Sequence, residues 1–142
     1  MSGSILFVED SPDAVELTRL ALNECSVGKD VIVASDGVEA MEYLFGEGPG
    51  TARGDGGLPE LVLLDLRLPK VGGFEVLESI RRDPRTRYLP VVVLTVSNLK
   101  SDMAKAYDMG ANSYIRKPED FDEYGRFLKI ACDYWLEVNK RP

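Results

Sequence analysis

The sequence predicts an α/β fold: a single doubly wound five-stranded parallel sheet in the order 2-1-3-4-5, with helices on both faces. Three observations lead there. Five short apolar runs, ILFV, VIVA, LVLL, VVVL and SYI, carry no in/out alternation, the pattern of strands covered on both sides. Longer segments of helical periodicity separate them in strict alternation. With right-handed crossovers, the order 2-1-3-4-5 is the economical arrangement for that count.

The elements follow in order. The first strand is placed at 5–8, and the helix after it at about 12–24, with Ser11 as N-cap and Pro12 at the first helical position. The second strand, 31–34, leads to a helix at about 37–45 with Val38, Met41, Leu44 and Phe45 at helical spacing. The third strand, 61–64, precedes a helix at about 73–82 carrying Phe74, Leu77 and Ile80. The fourth, 91–94, precedes a helix from about 99 to 109 that Gly110 ends in a left-handed turn. The fifth strand, 113–115, leads to a last helix at about 120–139. Residues 46–57, GEGPGTARGDGG, hold six glycines and no periodicity, and are expected to form a flexible surface loop before the third strand. No GK[ST] follows them and they do not join strand to helix, so they are not read as a phosphate-binding loop.

At 142 residues the chain is expected to be one domain, 1–142, with 44% hydrophobic content sufficient for a core. No apolar run approaches the roughly 20 residues that cross a bilayer. The start, MSGSILFVED, lacks a secretory pattern, which makes cytoplasm the expected compartment. A net charge of −7 argues against bulk nucleic-acid binding. Cys25 and Cys132 lie within apolar helical patterns and read as small buried hydrophobes, not as a disulfide or metal pair. The chain has no histidine, which rules out Ser-His and Cys-His catalysis and leaves carboxylates, hydroxyls and lysine for any chemistry.

In an open α/β sheet, ligands sit beyond the carboxyl ends of the strands. There the sequence places Glu9 and Asp10, Asp65, Thr95 and Ser97, and Arg116 and Lys117. Each has a structural reading alone: Asp10 before Ser-Pro as a turn starter, Thr95 as a good strand residue, Lys117 as an exposed charge. Together three acids around one crevice repel, and need compensation from a hard divalent cation such as Mg2+ or from the Lys117 ammonium. A carboxylate in that setting can attack phosphorus and form an acyl phosphate. Asp65 is the best candidate, because it stands alone at the end of the central strand while Glu9 and Asp10 pair as metal ligands.

The acidic pair in LFVEDSP, the aspartate in LLDLRLPKVGGFE, the hydroxyl in VVVLTVS and the lysine in GANSYIRKP, with 30 residues from Asp65 to Thr95 and 22 from Thr95 to Lys117, resemble the receiver domain of two-component response regulators. The resemblance covers nearly the whole chain and implies the flavodoxin-like fold of that family. It implies Asp65 as phosphoacceptor, with Asp10, Asp65 and the backbone carbonyl of Arg67 on Mg2+ and Glu9 acting through water. It implies Thr95 as the switch hydroxyl, Lys117 as the phosphate-pairing cation, Tyr114 as the switch aromatic, and a cis Lys117–Pro118 peptide. Arg67, Val96 and Ser97 depart from the commonest pattern at positions that influence access to the phosphoryl group and its lifetime. The phosphodonor histidine is then expected on a separate kinase. The insertion at 46–57, the VEDSPD motif and the long aromatic last helix resemble single-domain regulators paired with phytochrome-type histidine kinases. With no second domain expected, the signal leaves through protein contacts or onward phosphotransfer.

On the last helix, Phe121, Tyr124, Leu128, Ala131, Trp135 and Val138 recur in steps of three and four, and Phe127, Ile130 and Tyr134 form a second stripe. So wide an apolar arc predicts a homodimer through the fourth helix, fifth strand and fifth helix. Other functions fit less well. An aspartyl-phosphate phosphatase of the haloacid dehalogenase type needs an acid where Arg67 stands. A flavin-nucleotide carrier would set phosphate against Glu9, Asp10 and Asp13. A receiver-like scaffold that is never phosphorylated would leave the complete acceptor set without a use.

Overall fold

A computed structural model describes residues 3–25, 30–52, 54, 57–68 and 70–142, with only the backbone of Glu24 and Cys25. The five strands are β1 (Ser4–Val8), β2 (Asp30–Ala34), β3 (Leu61–Leu64), β4 (Val91–Thr95) and β5 (Ser113–Arg116). They pair in parallel in the order β2-β1-β3-β4-β5. The helices are α1 (Pro12–Cys25), α2 (Gly37–Phe45), α3 (Gly73–Arg82), α4 (Lys100–Asp108) and α5 (Phe121–Cys132).

The unbroken apolar strands are explained by two cores, one on each sheet face. Leu6, Val8, Val62, Leu64, Val91 and Val93 face α2, α3 and α4. Ile5, Phe7, Leu61, Leu63, Val92 and Leu94 face α1 and α5. Period-2 side-chain alternation therefore sends successive apolar residues to opposite cores, so no strand position in the middle of the sheet is left for a polar residue. Where β1, β3 and β4 end, the chain leaves both cores at one edge and polar residues begin.

The helix boundaries follow local chemistry. Ser11 Oγ accepts the Ala14 N–H at 3.3 Å and caps α1. Asp36 caps α2 and Asp120 caps α5, each accepting the N–H three residues on. Gly110, at φ +103°, supplies the left-handed turn after α4. In α2 the inward residues are Ala40, Tyr43 and Leu44, while Val38 is exposed, so the expected stripe is rotated by part of a turn. Thr51 and Ala52, within the glycine-rich segment, are buried, and the Ala52 N–H donates to the Tyr43 carbonyl at 2.8 Å.

The last helix differs most from expectation. The α-helix ends at Cys132, and Asp133–Val138 form a π-helical segment in which the Asn139 N–H reaches the Tyr134 carbonyl at 2.7 Å. The i→i+5 closure breaks the 3.6-residue phase. Tyr124, Leu128 and Ala131 are buried, whereas Phe121 and Val138, at the two ends of the predicted stripe, are exposed. Trp135 stays against the sheet and donates to Ser113 Oγ at 3.2 Å. The Lys117–Pro118 peptide is trans, as are all peptide bonds among the described residues, which corrects the cis expectation. Trans is the lower form even before proline, by about 0.5–1 kcal/mol. The side chain of Cys25, expected as a small buried hydrophobe, lies outside the described ones.

Candidate functional site

The carboxyl ends of β1, β3 and β5 bring together the groups the sequence singled out. Glu9 follows β1, its N–H held by the Ala34 carbonyl of β2 at 3.0 Å. Asp65 follows β3, its N–H held by the Val8 carbonyl of β1 at 3.1 Å. Both side chains are therefore fixed by sheet hydrogen bonds that continue one residue past the strands. Gly73, the first residue of α3, closes over this point: a β-carbon there would strike the Asp65 carbonyl oxygen and lie 2.7 Å from Leu66 Cα. Only glycine lets α3 start so near the Asp65 backbone.

Glu9 is 2% exposed and Asp65 7%, yet both are paired. Lys117, arriving from β5, donates its ammonium to Glu9 Oε1 and, at 3.2 Å, to Asp65 Oδ2. The Arg67 N–H donates to the other Asp65 oxygen, Oδ1, at 3.0 Å. Glu9 Oε2 accepts the N–H groups of Asp10 (3.1 Å) and Ser11 (3.3 Å). Burial pushes the Glu9 carboxyl up, against the lowering pull of Lys117. For Lys117, burial works against the charged form, but Glu9 and Asp65 outweigh it and hold the ammonium above the ordinary lysine value.

Asp10 is exposed, but carboxylate oxygens of Glu9, Asp10 and Asp65 all lie within 4.8 Å of one another. Three acids face one ammonium, so negative charge remains in excess. The donors are hard oxygens, and a divalent cation of the Mg2+, Mn2+ or Ca2+ type fits that set.

Thr95 and Tyr114 stand at the same edge without joining the carboxylates. Thr95 is fully buried at the end of β4, and its carbonyl accepts the Lys117 N–H at 2.8 Å. Its Oγ1 accepts the Ser97 N–H at 3.4 Å. Tyr114, on β5, donates its hydroxyl to the Ser97 carbonyl at 3.1 Å. Val96, between these residues, is 68% exposed. Sequence reasoning passed over one residue here, Asp102, and the hydroxyl partner of another, Tyr124. Asp102, in the first turn of α4, accepts from both Arg67 and Ser97. Tyr124 is hydrogen-bonded to Thr18 at 2.9 Å between α1 and α5. An acid in the first turn of the helix after β4 was a usable signal for Asp102. Nothing in the sequence pairs residues 18 and 124.

The response regulator receiver domain model matches residues 5–128. Over 139 residues the chain is 41% identical to the probable methanogenesis regulatory protein FilR2 of Methanothrix harundinacea, covering 97% of this chain and 86% of that one. Over 140 residues it is 34% identical to response regulator Rcp1 of Synechocystis sp., covering 97% and 92%. Among solved structures it is similar to the phosphorylated cyanobacterial phytochrome response regulator RcpA, with TM-score 0.91, 36% identity, and 100% and 99% of the two chains covered. The Mn2+-bound form of Rcp1 superposes with TM-score 0.86 at 33% identity over 99% of each chain.

Proposed function

Because this chain belongs to the response regulator receiver domain family, we propose that it is a response regulator that accepts a phosphoryl group on Asp65 from the histidine of a kinase. The observation that carries the reading is the Lys117 ammonium set between Glu9 and Asp65, beside three carboxylates whose oxygens lie within 4.8 Å.

In the transfer, an Asp65 oxygen attacks phosphorus, the bond from phosphorus to the donor nitrogen breaks, and an acyl phosphate forms on Asp65. The leaving imidazole takes its proton from solvent. Asp10, Asp65 and the Arg67 carbonyl would hold Mg2+, with Glu9 acting through water, and the bound ion supplies charge neutralisation at the phosphoryl oxygens. Lys117 turns from the Asp65 carboxylate to a phosphoryl oxygen as charge moves outward. The Thr95 hydroxyl, now accepting from the Ser97 N–H, donates to a second phosphoryl oxygen. Tyr114 gives up its bond to the Ser97 carbonyl and turns inward, so that the β4–α4 connection reports the state of Asp65. Hydrolysis by water resets the switch slowly, with no group among the described site residues placed as a strong base.

RcpA is a phytochrome response regulator, and a phytochrome-type histidine kinase is the phosphodonor we favour here. The output is protein contact, through a homodimer of the α4–β5–α5 face, where Ile130 and Tyr134 are exposed beside Phe127. No described helix is long and apolar enough to cross a membrane. Cytoplasm, without a nucleic-acid partner, is the setting we favour, with 46–57 as the insertion, of which 53, 55 and 56 lie outside the described residues.

The test is intact mass after incubation with acetyl phosphate and Mg2+. A base-labile gain of one phosphoryl group, absent in Asp65→Asn, is expected. No gain across several small phosphodonors and kinases would overturn the reading.

A further inference from the structure

Two loops of the site meet on a single carboxylate oxygen of a third element. Asp102 Oδ2, in the first turn of α4, accepts the Arg67 guanidinium at 2.8 Å and the Ser97 hydroxyl at 2.6 Å. Arg67 lies in the β3–α3 connection, two residues after Asp65, and Ser97 in the β4–α4 connection, two residues after Thr95. Ser97 extends the contact further: its hydroxyl oxygen accepts the Leu99 N–H at 3.3 Å, and its carbonyl accepts the Tyr114 hydroxyl. The Asp102 side chain is 16% exposed against 62% for Arg67, so the carboxylate is the fixed partner and the guanidinium the mobile one.

Arg67 thus has two anionic destinations. Its own N–H already rests on Asp65, while its side chain turns away to α4. A guanidinium binds carboxylate and phosphate by the same planar fork. Without a phosphoryl group, Asp102 competes with an Asp65 carboxylate that is already paired with Lys117, and Asp102 wins. A phosphoryl group carries roughly two charges and three acceptor oxygens, and reverses the competition.

We propose that Asp102 is a positioning residue: it parks the Arg67 guanidinium on α4, clear of Asp65, and yields it when Asp65 is phosphorylated. Exchange of Arg67 also takes one of the two donors from Asp102, which loosens Ser97 and the start of α4. The exposed Asp102–Arg67 pair thereby sets how readily Arg67 covers the phosphoryl oxygens and excludes attacking water. This rests on the reading of Asp65 as phosphoacceptor.

The experiment follows hydrolysis of the phosphorylated full chain with Mg2+, comparing wild type, Asp102→Ala, Asp102→Asn, Arg67→Ala and the Arg67→Ala/Asp102→Ala double variant. Released from α4, Arg67 lengthens the phosphoryl half-life about two- to fivefold in both Asp102 variants, the span that an exposed ion pair commands. In the double variant the half-life equals that of Arg67→Ala alone, an outcome that a general loosening of α4 would not produce. Unchanged half-lives in both Asp102 variants would overturn the proposal. So would a lengthening that persists in the Arg67→Ala background. A wild-type chain that takes no phosphoryl group defeats the phosphoacceptor reading and the latch with it. A wild type that is phosphorylated, with Asp102 variants decaying at its rate, defeats the latch alone.

Discussion

Replacing Lys117 by methionine keeps the stem and removes the ammonium that stands between Glu9 and Asp65. Both carboxyls are nearly inaccessible to water, and Lys117 itself has a side chain only 14% exposed. Breaking a buried ion pair by deleting one partner costs about 3–5 kcal/mol, because the other charge stays buried. Burial already pushes Glu9 up, so in Lys117→Met that carboxyl takes a proton more readily and avoids part of the cost. We expect a loss of about 3 kcal/mol at pH 7 without divalent metal. For 142 residues, at roughly 2.1 cal/mol/K each, the unfolding entropy is about 0.3 kcal/mol/K and the fall in Tm about 10 °C.

The pH dependence has a definite sign. Lys117 is raised in the folded protein from 10.5, so its contribution is complete below that value and is lost as pH rises through the higher folded pKa. The gap between wild type and Lys117→Met is therefore widest near neutrality, and closes above about pH 10.5. As pH falls through the raised folded value of Glu9 it narrows again, because that carboxyl becomes neutral. Glu9→Gln in the Lys117→Met background restores more stability than Asp65→Asn does, because Glu9 is the more deeply buried of the two stranded carboxyls. Denaturant titration from pH 4 to 11 measures all of this. Equal stabilities at pH 7, or a gap constant from pH 7 to 11, would refute the reasoning.

Gly73→Ala drives a methyl into the Asp65 carbonyl and Leu66 Cα; a loss of about 1–3 kcal/mol and slower phosphorylation are expected. Gly72→Ala, whose nearest neighbour is Glu75 Oε1 at 3.8 Å, is the control and stays within about 0.5 kcal/mol. Thr18→Val leaves the buried Tyr124 hydroxyl without its partner, at a cost of about 1–3 kcal/mol by thermal melting. Burial raises the Tyr124 pKa above 10.0, so its contribution is present below pH 10 and lost as pH rises further; Tyr124→Phe therefore shows a flatter alkaline decline than wild type. Ile130→Glu, at an exposed site, is expected to change stability by no more than about 0.5 kcal/mol and to sediment as monomer at concentrations where the proposed wild-type dimer is expected.

Much of the site was legible because its placement follows from local signals combined with one rule of topology. Glu9, Asp65 and Thr95 each follow an apolar run, and parallel pairing in the order β2-β1-β3-β4-β5 brings those run ends to one edge. Asp102 was missed because it belongs to a helix, where an acid in the first turn has a sufficient local reason in the helix dipole. The rotation of α2, which sends Ala40 and Tyr43 inward in place of Val38, escaped because several apolar faces on a short helix satisfy the same periodicity.

Consecutive residues carry the sheet, its two cores and the edge where chemistry gathers, since burial periodicity is local. How charges pair across that edge depends on the packed fold. Lys117 has three carboxylates within the same region and takes Glu9 and Asp65. Arg67 stands two residues from Asp65 in the chain, yet gives its guanidinium to Asp102 on another element. The π-helical closure after Cys132, which ends the apolar stripe early and sets Trp135 on Ser113, was decided there too. Pairings of this kind depend on distances between elements distant in sequence, and periodicity within one element carries no measure of them.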